Sequence, residues 1–528
     1  MLIADIITEF LIQKGVKHVF GYQGGAIARV IHSISESEHI DYLQNYHEQA
    51  SSFAASGYAK SSGKLGVAVA TSGPGAVNMI AGITDSFCDS VPCLFITGQD
   101  RLESISNNSG ARLNGFQDLD IVSMVRPVTK FAKLVTDEND IINSLEEAYF
   151  EATTGRKGPV LLDIPVDIQL KDVDLRKLSI NKCLQAKPEG QDISILVSEV
   201  ISHIKGSRNP VILCGGGVKS SGAQKDLASL LSILRIPTVA TSNGTDVHPD
   251  IVGFSGLNGN TEANMTIFNS DLLVVLGSRF GQQQVGRDCE KYTRSKKIIH
   301  IDIDQSELGR VFKYGMEIKC DISIFLQELN KQLSSLSVLP SFESWNLEVA
   351  GYCRDFRSSI RCNSDKELDP VGIFEKLNEI IDDNAIVTLD VGQNQMWATQ
   401  SLKLREGQRV VSGVGYSSMG CSIPYAIGSS YASDLKDNQV ICINGDGGFQ
   451  MNMQELMFIS QNKLNIKIVV INNSGLGLIK ATQDKYMDSK YYGTSKSYAN
   501  CVDLKLLAKS YEIDFLRIDS SSDLENIG

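Results

Sequence analysis

Two short segments near the C-terminal end carry residue types that hold a metal ion against a diphosphate. They are Gly445-Asp446-Gly447-Gly448 and Asn472-Asn473. A carboxylate and an amide supply hard oxygen donors, which suit Mg²⁺ shared with phosphate oxygens. The glycines let backbone N–H groups come close to an anion. Asp446 follows the apolar run 440–443 and the asparagines follow the apolar run 466–471, so the end of a strand delivers each donor.

Other candidate chemistry is spread along the chain. Tyr46-His47-Glu48-Gln49-Ala50 stands where a strand gives way to a helix over 50–60. Taken alone, Glu48 reads as a first-turn acid that compensates the helix dipole. A zinc-binding H-E-x-x-H would need histidine at position 51, where the chain has Ser51. Thr71-Ser72-Gly73-Pro74-Gly75-Ala76 lies between a strand and a helix expected near Val77. Such a turn exposes backbone N–H groups to an anion, or serves simply as a strand-to-helix connection. The stretch 57–64 is one residue too long for a phosphate loop, and Leu65 replaces its Ser/Thr. Gly215-Gly216-Gly217 is a weak dinucleotide fingerprint because Ser220 breaks the pattern. The segments 390–397 and 413–420 are a loop after a strand and a glycine-rich turn, and Met419 in the latter reads on its own as packing.

The elements that must position these residues follow from the whole chain. Short β-rich apolar runs alternate with helical patterns from end to end, which predicts an α/β fold around parallel sheets. Strands are expected at 18–20, 66–70, 93–96, 160–164, 211–214, 272–276, 298–301, 386–389, 440–443 and 466–471, with another at 515–518. Around 170–192 and 334–369 the chain turns polar and loses periodicity, as linkers do. A chain of 528 residues exceeds one core, and these breaks divide it into 1–172, 190–335 and 365–528. The net charge of -12 argues against nucleic acid or an anionic membrane as partner. No run of 18 apolar residues or basic-then-apolar leader is present, and residues 1–5 read as an amphipathic helix. The 11 cysteines form no C-x-x-C pair, so buried reduced thiols and a cytoplasmic location are expected.

The pieces taken in order are Gly24-Gly25-Ala26, His47-Glu48-Gln49, Thr71 to Gly75, Gly158-Pro159-Val160 to Asp163-Ile164-Pro165, and Gly392-Gln393 to Gln395-Met396-Trp397. Gly445-Asp446-Gly447, Asn452-Met453-Gln454-Glu455-Leu456 and Asn472-Asn473 complete them. Together they resemble the thiamine-diphosphate enzymes and, within these, the acetolactate synthase group. The resemblance covers essentially the whole chain. It implies three α/β domains, each a parallel sheet flanked by helices: pyrimidine-binding, middle (similar to FAD-binding domains) and diphosphate-binding. It also implies a cofactor held between the first domain of one subunit and the third domain of another, hence a homodimer or a dimer of dimers. Glu48 would then hydrogen-bond N1′ of the aminopyrimidine and favour the imino tautomer that takes the C2 proton. Met419 would keep the cofactor bent. Asp446, Asn473 and the Gly475 carbonyl would bind Mg²⁺. Gln393, Asn394, Gly447 and Gly448 would face the diphosphate, and Gly24, Gly25, Pro74, Asn78, Gly392, Ser417, Gly445, Leu478 and Ile479 would line the rest of the cofactor.

Such enzymes decarboxylate a 2-oxo acid, after which the acyl unit is protonated, oxidised or added to a second carbonyl. Aldehyde-releasing members place adjacent histidines after the Thr-Ser-Gly-Pro-Gly segment, whereas 101–131 contains no histidine. That region carries Arg112 and Phe116-Gln117, where synthase-like members have a Phe-Gln pair lining the acceptor pocket. The expectation is carboligation, with pyruvate as donor and a carbonyl compound as acceptor. Departures from the family pattern gather on the substrate and FAD sides. Gln23 replaces proline, Asp100-Arg101 replaces Val-Pro, and the stretch 98–117 is longer. Gly281-Gln282-Gln283-Gln284 stands where FAD-containing members have Asp-Asp-Arg, which leaves FAD open. Thr482 occupies a position that is usually tryptophan and leaves room for a larger acceptor, such as a keto sugar nucleotide in surface-polysaccharide synthesis. The alternatives are a simple 2-oxo acid decarboxylase, an inactive scaffold and a Mg²⁺-dependent nucleotide binder. Family members usually continue beyond 515–518 with a helix, a strand and a tail, whereas this sequence stops at Gly528.

Overall fold

Fifteen strands form among the described residues of the chain, whose structure is a computed structural model. The structure describes every residue except 106–109, 175–191, 313–314, 358–367, 433–437, 496, 498–500 and 528. The strands are β1 (His18–Gly21), β2 (Asp41–Gln44), β3 (Gly66–Ala70), β4 (Cys93–Gln99), β5 (Phe131–Leu134), β6 (Pro159–Pro165), β7 (Pro210–Cys214) and β8 (Thr238–Ala240). They continue with β9 (Leu272–Leu276), β10 (Lys297–Asp302), β11 (Met316–Lys319), β12 (Ile386–Leu389), β13 (Arg409–Ser412), β14 (Val440–Gly445) and β15 (Ile466–Ile471).

Three sheets result, ordered β2-β1-β3-β4-β6-β5, β11-β10-β9-β7-β8 and β13-β12-β14-β15. Neighbours run parallel throughout the first two, as do β12, β14 and β15 in the third. Strands β3, β4, β6 and β9 are buried at every position, which is why they read as unbroken apolar runs.

Contacts divide the chain into two units. One contains Met1–Lys187, Ile386–Gly392 and Val411–Phe515, so the first and third sheets share it. The other contains Pro188–Ala385, Gln393–Val410 and Leu516–Gly528, and is built on the second sheet. In the first unit the helix Glu48–Ser62 crosses the helix Ser422–Ser430 backbone to backbone. A Cβ on Gly57 would fall 2.6 Å from the Tyr425 backbone, and one on Gly428 would fall 1.9 Å from the Ala54 carbonyl oxygen. This close approach accounts for the alanine, serine and glycine that make up most of the Glu48 helix. It also gives the glycine at the start of 57–64 a packing role.

The structure corrects several expectations. Residues 515–518 form no strand, and Phe515 and Leu516 are exposed rather than paired against β15. The helix expected near Val77 begins at Pro74, where the fixed φ and missing N–H of proline suit a first turn. The strand expected to give way to the Glu48 helix is β2, whereas four strands (β5, β8, β11 and β13) were not expected, and all are only three or four residues long. Much of the linker 170–192 lies outside the described residues, whereas 334–369 contains the helix Glu343–Arg357. Phe342, Trp345 and Val349 are buried at helical spacing there, and Trp345 Nε1 donates to the Pro210 carbonyl at 3.1 Å. No helix among the described residues is long and apolar enough to cross a membrane.

Candidate active site

The start of the Glu48 helix is fixed by its cap. His47 Nδ1 accepts from the Gln49 amide at 3.0 Å, which makes Glu48 the first helical residue. Glu48 Oε2 accepts from Asn78 Nδ2 at 3.0 Å. Asn78 ends the five-residue helix Pro74–Asn78, entered through Gly73 at φ 55°. A Cβ on Gly75 would stand 3.2 Å from Glu48 Oε1 and 2.8 Å from Thr71 Cγ2, so glycine keeps the space beside that oxygen open. Thr71 also abuts Gly24, whose Cβ would fall 2.4 Å away, and Gln117 lies against Gly73. The structure thus brings Gly24, Glu48, Asn78, Gln117 and the Pro74-Gly75 turn together, with Gly25 and Pro74 exposed.

A second cluster forms where β14 ends at Gly445. Asp446 is buried, and its Oδ2 accepts from the Gly475 amide at 2.9 Å. Burial pushes its carboxyl above the usual range, against the backbone amides that pull it down. The same bond fixes the loop after β15, so Asn473 is carried on a segment braced by Asp446. A Cβ on Gly447 would meet Leu476 Cδ2 at 2.7 Å and Met419 Cε at 3.3 Å. One on Gly448 would meet the Asp390 carboxyl at 2.8 Å. Both Asp390 oxygens accept from the Gly420 amide, at 3.0 and 2.9 Å, and burial raises Asp390 to about 7. Met419 is therefore set between the Gly447 turn and an anchored Gly420. Ser417, at φ 61°, donates its amide to the Gly413 carbonyl in the same loop.

The residues fit a diphosphate and its cation. Among the described residues no three His, Cys, Asp or Glu side chains gather as a metal site. A cation at Asp446 would draw on amide, carbonyl and ligand oxygens, a set that suits Mg²⁺ better than Zn²⁺.

The remaining expected residues are not gathered in this way. Arg112 is exposed and Phe116 is 79% exposed, its amide donated to Asp100 Oδ2 at 2.8 Å. Leu478, Ile479 and Thr482 ride on the helix Gly477–Tyr486, with Ile479 and Thr482 in solvent. Gly392 closes a first-unit segment after β12, whereas Gln393 and Asn394 begin the helix Gln393–Ser401 of the second unit. In that unit Gly215 and Gly217 pack on Gly277, where Cβ atoms would fall 2.0 and 2.6 Å from its backbone.

Sequence reasoning missed three supports. Asp390 anchors Gly420, and an acid directly after an apolar strand was the available signal. Glu455 accepts from the Asn45 side chain and the Tyr46 amide. Lys60 Nζ donates to Asp85 (3.1 Å), Asp89 (2.9 Å), Tyr425 Oη (2.9 Å) and the Ser412 carbonyl (3.1 Å), and Asp89 takes the Gly415 amide at 2.8 Å. A lone lysine in a helix of small residues was the visible clue.

Comparison with known proteins follows the same plan. Residues 1–124 match the thiamine pyrophosphate enzyme N-terminal TPP binding domain, 197–329 the central domain and 390–527 the C-terminal TPP binding domain. The acetolactate synthase large subunit of Lactococcus lactis subsp. lactis is 33% identical over 533 residues, 99% of this chain and 89% of its own. The acetolactate synthase isozyme 1 large subunit of Escherichia coli is 32% identical over 527 residues, covering 98% of this chain and 90% of its own. Acetolactate synthase 1 of Zea mays, a chloroplastic protein, is 34% identical over 535 residues, covering 99% and 82%. With Glu48, the glycine turns and Asp446 all inside the matched segments, the chain belongs to the thiamine-diphosphate-dependent enzymes of the acetolactate synthase family.

Proposed function

We propose that this enzyme decarboxylates pyruvate and transfers the acyl unit to a second carbonyl compound, using thiamine diphosphate and Mg²⁺. The observation that carries the reading is the Glu48 carboxylate, held by Asn78 on one oxygen and kept open by Gly75 at the other. When bound, thiamine diphosphate supplies a carbon nucleophile and a sink for the electrons left by decarboxylation. In this reading Glu48 Oε1 holds the proton at N1′, and Asn78 fixes the direction in which that oxygen points. Asp446, the Asn473 amide oxygen and the Gly475 carbonyl would hold Mg²⁺, Gly447 and Gly448 would face the diphosphate, and Met419 would support the cofactor from the neighbouring loop. Gln117, beside Gly73, borders the acceptor side with Arg112 and Phe116. The absence of histidine from 101–131 favours carbon–carbon bond formation over aldehyde release.

The same reading places the active site between subunits of a homodimer or a dimer of dimers. It also places the enzyme in the cytoplasm, in keeping with the buried thiols of Cys93, Cys214, Cys421 and Cys442. The reading leaves FAD open, and Gly215 and Gly217 pack the loops after β7 and β9. A second acceptor class, a keto sugar nucleotide, is favoured by the short, exposed Thr482 side chain. Product analysis with pyruvate, thiamine diphosphate and Mg²⁺ tests the proposal. Acetolactate and CO₂ are expected, a product formed only when a keto sugar nucleotide is added would select the second acceptor, and acetaldehyde as sole product would overturn carboligation.

A further inference from the structure

The segment between β14 and β15 turns back against the residues that lead into the Glu48 helix. Glu455 is fully buried there. Its Oε2 accepts from Asn45 Nδ2 at 3.0 Å and its Oε1 from the Tyr46 amide at 2.9 Å, with the His47 amide as a further donor. Asn45 is itself fully buried. These are consecutive groups of the three residues that precede Glu48. Asn452, one turn earlier, donates Nδ2 to the Gly420 carbonyl at 2.7 Å and reaches Gln49 Oε1 at 3.5 Å. Both flanks of Glu48 are thus touched by one short turn, which also grips the loop carrying Met419.

A buried carboxylate is costly unless donors surround it, and breaking such a set leaves an unpaired group behind. Asn45 Nδ2 and the Tyr46 and His47 amides all present an N–H to the carboxylate, so an acceptor-only side chain of this length satisfies them. Glutamine would turn an NH₂ toward one of those donors. Burial raises Glu455 to about 7, while the amides that contact it pull the other way.

We propose that Glu455 is a positioning residue for Glu48, setting the main chain from which the catalytic carboxylate springs. The proposal rests on the reading of Glu48 as the partner of N1′. A residue that merely fastened two halves of the unit together would lower thermal stability when changed, yet leave proton abstraction intact. Glu455 instead sets the direction of the 45–47 backbone and thereby the placement of the Glu48 oxygens against Asn78.

The test uses the full-length enzyme with Glu455→Gln, with Asn45→Ala as the milder variant should the first fail to fold. Amide hydrogen exchange of the protein without cofactor reports on the anchor. In Glu455→Gln the Tyr46 and His47 amides should exchange roughly tenfold faster or more, the scale of one lost charge-assisted hydrogen bond. At saturating thiamine diphosphate and Mg²⁺, C2-proton exchange should fall by roughly tenfold, with cofactor affinity changed by less than about threefold. Asn45→Ala should shift both in the same direction by about threefold. Tyr46 and His47 amides that stay protected in Glu455→Gln would overturn the proposal. So would faster amide exchange with undiminished C2-proton exchange. Wild-type C2-proton exchange in Glu48→Gln would instead remove the reading on which the proposal rests, whatever the amides of the Glu455 variants do.

Discussion

Glu48, Asp446 and Asp390 are held by amides from neighbouring segments, whereas Arg112, Phe116 and Thr482 stand in solvent. The first group lies where strands of two parallel sheets end within one unit, and it is braced by glycines that admit no Cβ. The second lies on a loop shaped by its own carboxylates and on a helix with an exposed face. Asp118 Oδ2 takes the Asn114 and Gly115 amides at 2.8 and 2.9 Å, and Asp100 takes that of Phe116. On the proposed reading, cofactor geometry is built into the core and acceptor geometry into a surface loop of the kind that tolerates change.

Perturbations should therefore act strongly on one side and weakly on the other. The largest effect is expected from Asp446→Ala, which should weaken thiamine diphosphate and Mg²⁺ binding by roughly 100-fold in calorimetric titration. Undiminished affinity would break the comparison on its rigid side. Gly75→Ala comes next, because its Cβ would press on Glu48 Oε1 at 3.2 Å and on Thr71 Cγ2 at 2.8 Å. Overpacking of this kind costs about 1–3 kcal/mol, so turnover should fall roughly tenfold or more. An enzyme with normal turnover would show that the space beside Oε1 is not used.

Acidity offers a third test. Burial raises Asp163, Asp390 and Glu455 to about 7 in the folded protein. Their folded values lie above the unfolded ones, so the protonated form favours folding. That contribution is complete below about pH 4 and is lost as pH rises through 7. The melting temperature should fall between pH 5 and 8, and Asp390→Asn should flatten the decline; a steady rise would contradict the assignment. The smallest effect belongs to Phe116→Ala. Its side chain is already 79% exposed, so acceptor KM should change by about threefold or less and cofactor affinity not at all. A large loss of cofactor affinity would place this loop with the rigid side.

The legibility of the sequence divides along the same line. The ten apolar runs form strands close to where their patterns place them, and in β3, β4, β6, β7 and β9 burial on both faces leaves the uninterrupted signature. Strand β2 was placed only as the strand before the Glu48 helix, without bounds, because most of its residues are exposed or half-exposed and its pairing with β1 is decided by tertiary context. The apolar residues of 515–518 carry no such context and form no strand. Glu48 and Asp446 were visible because chemistry restricts their residue types. Asn78 fits the same restriction, and its bond to Glu48 adds the direction that no pattern could supply. Glu455 was quoted only as part of a motif, since its partners lie some 400 residues away and only folding brings them together.

The most direct test of the account is C2-proton exchange of bound thiamine diphosphate in the wild-type enzyme and in Glu48→Gln, both saturated with cofactor and Mg²⁺. Glu48→Gln should exchange roughly 100-fold more slowly or worse while binding the cofactor with similar affinity. Equal exchange rates in the two proteins would contradict the assignment of Glu48 and, with it, the proposed mechanism.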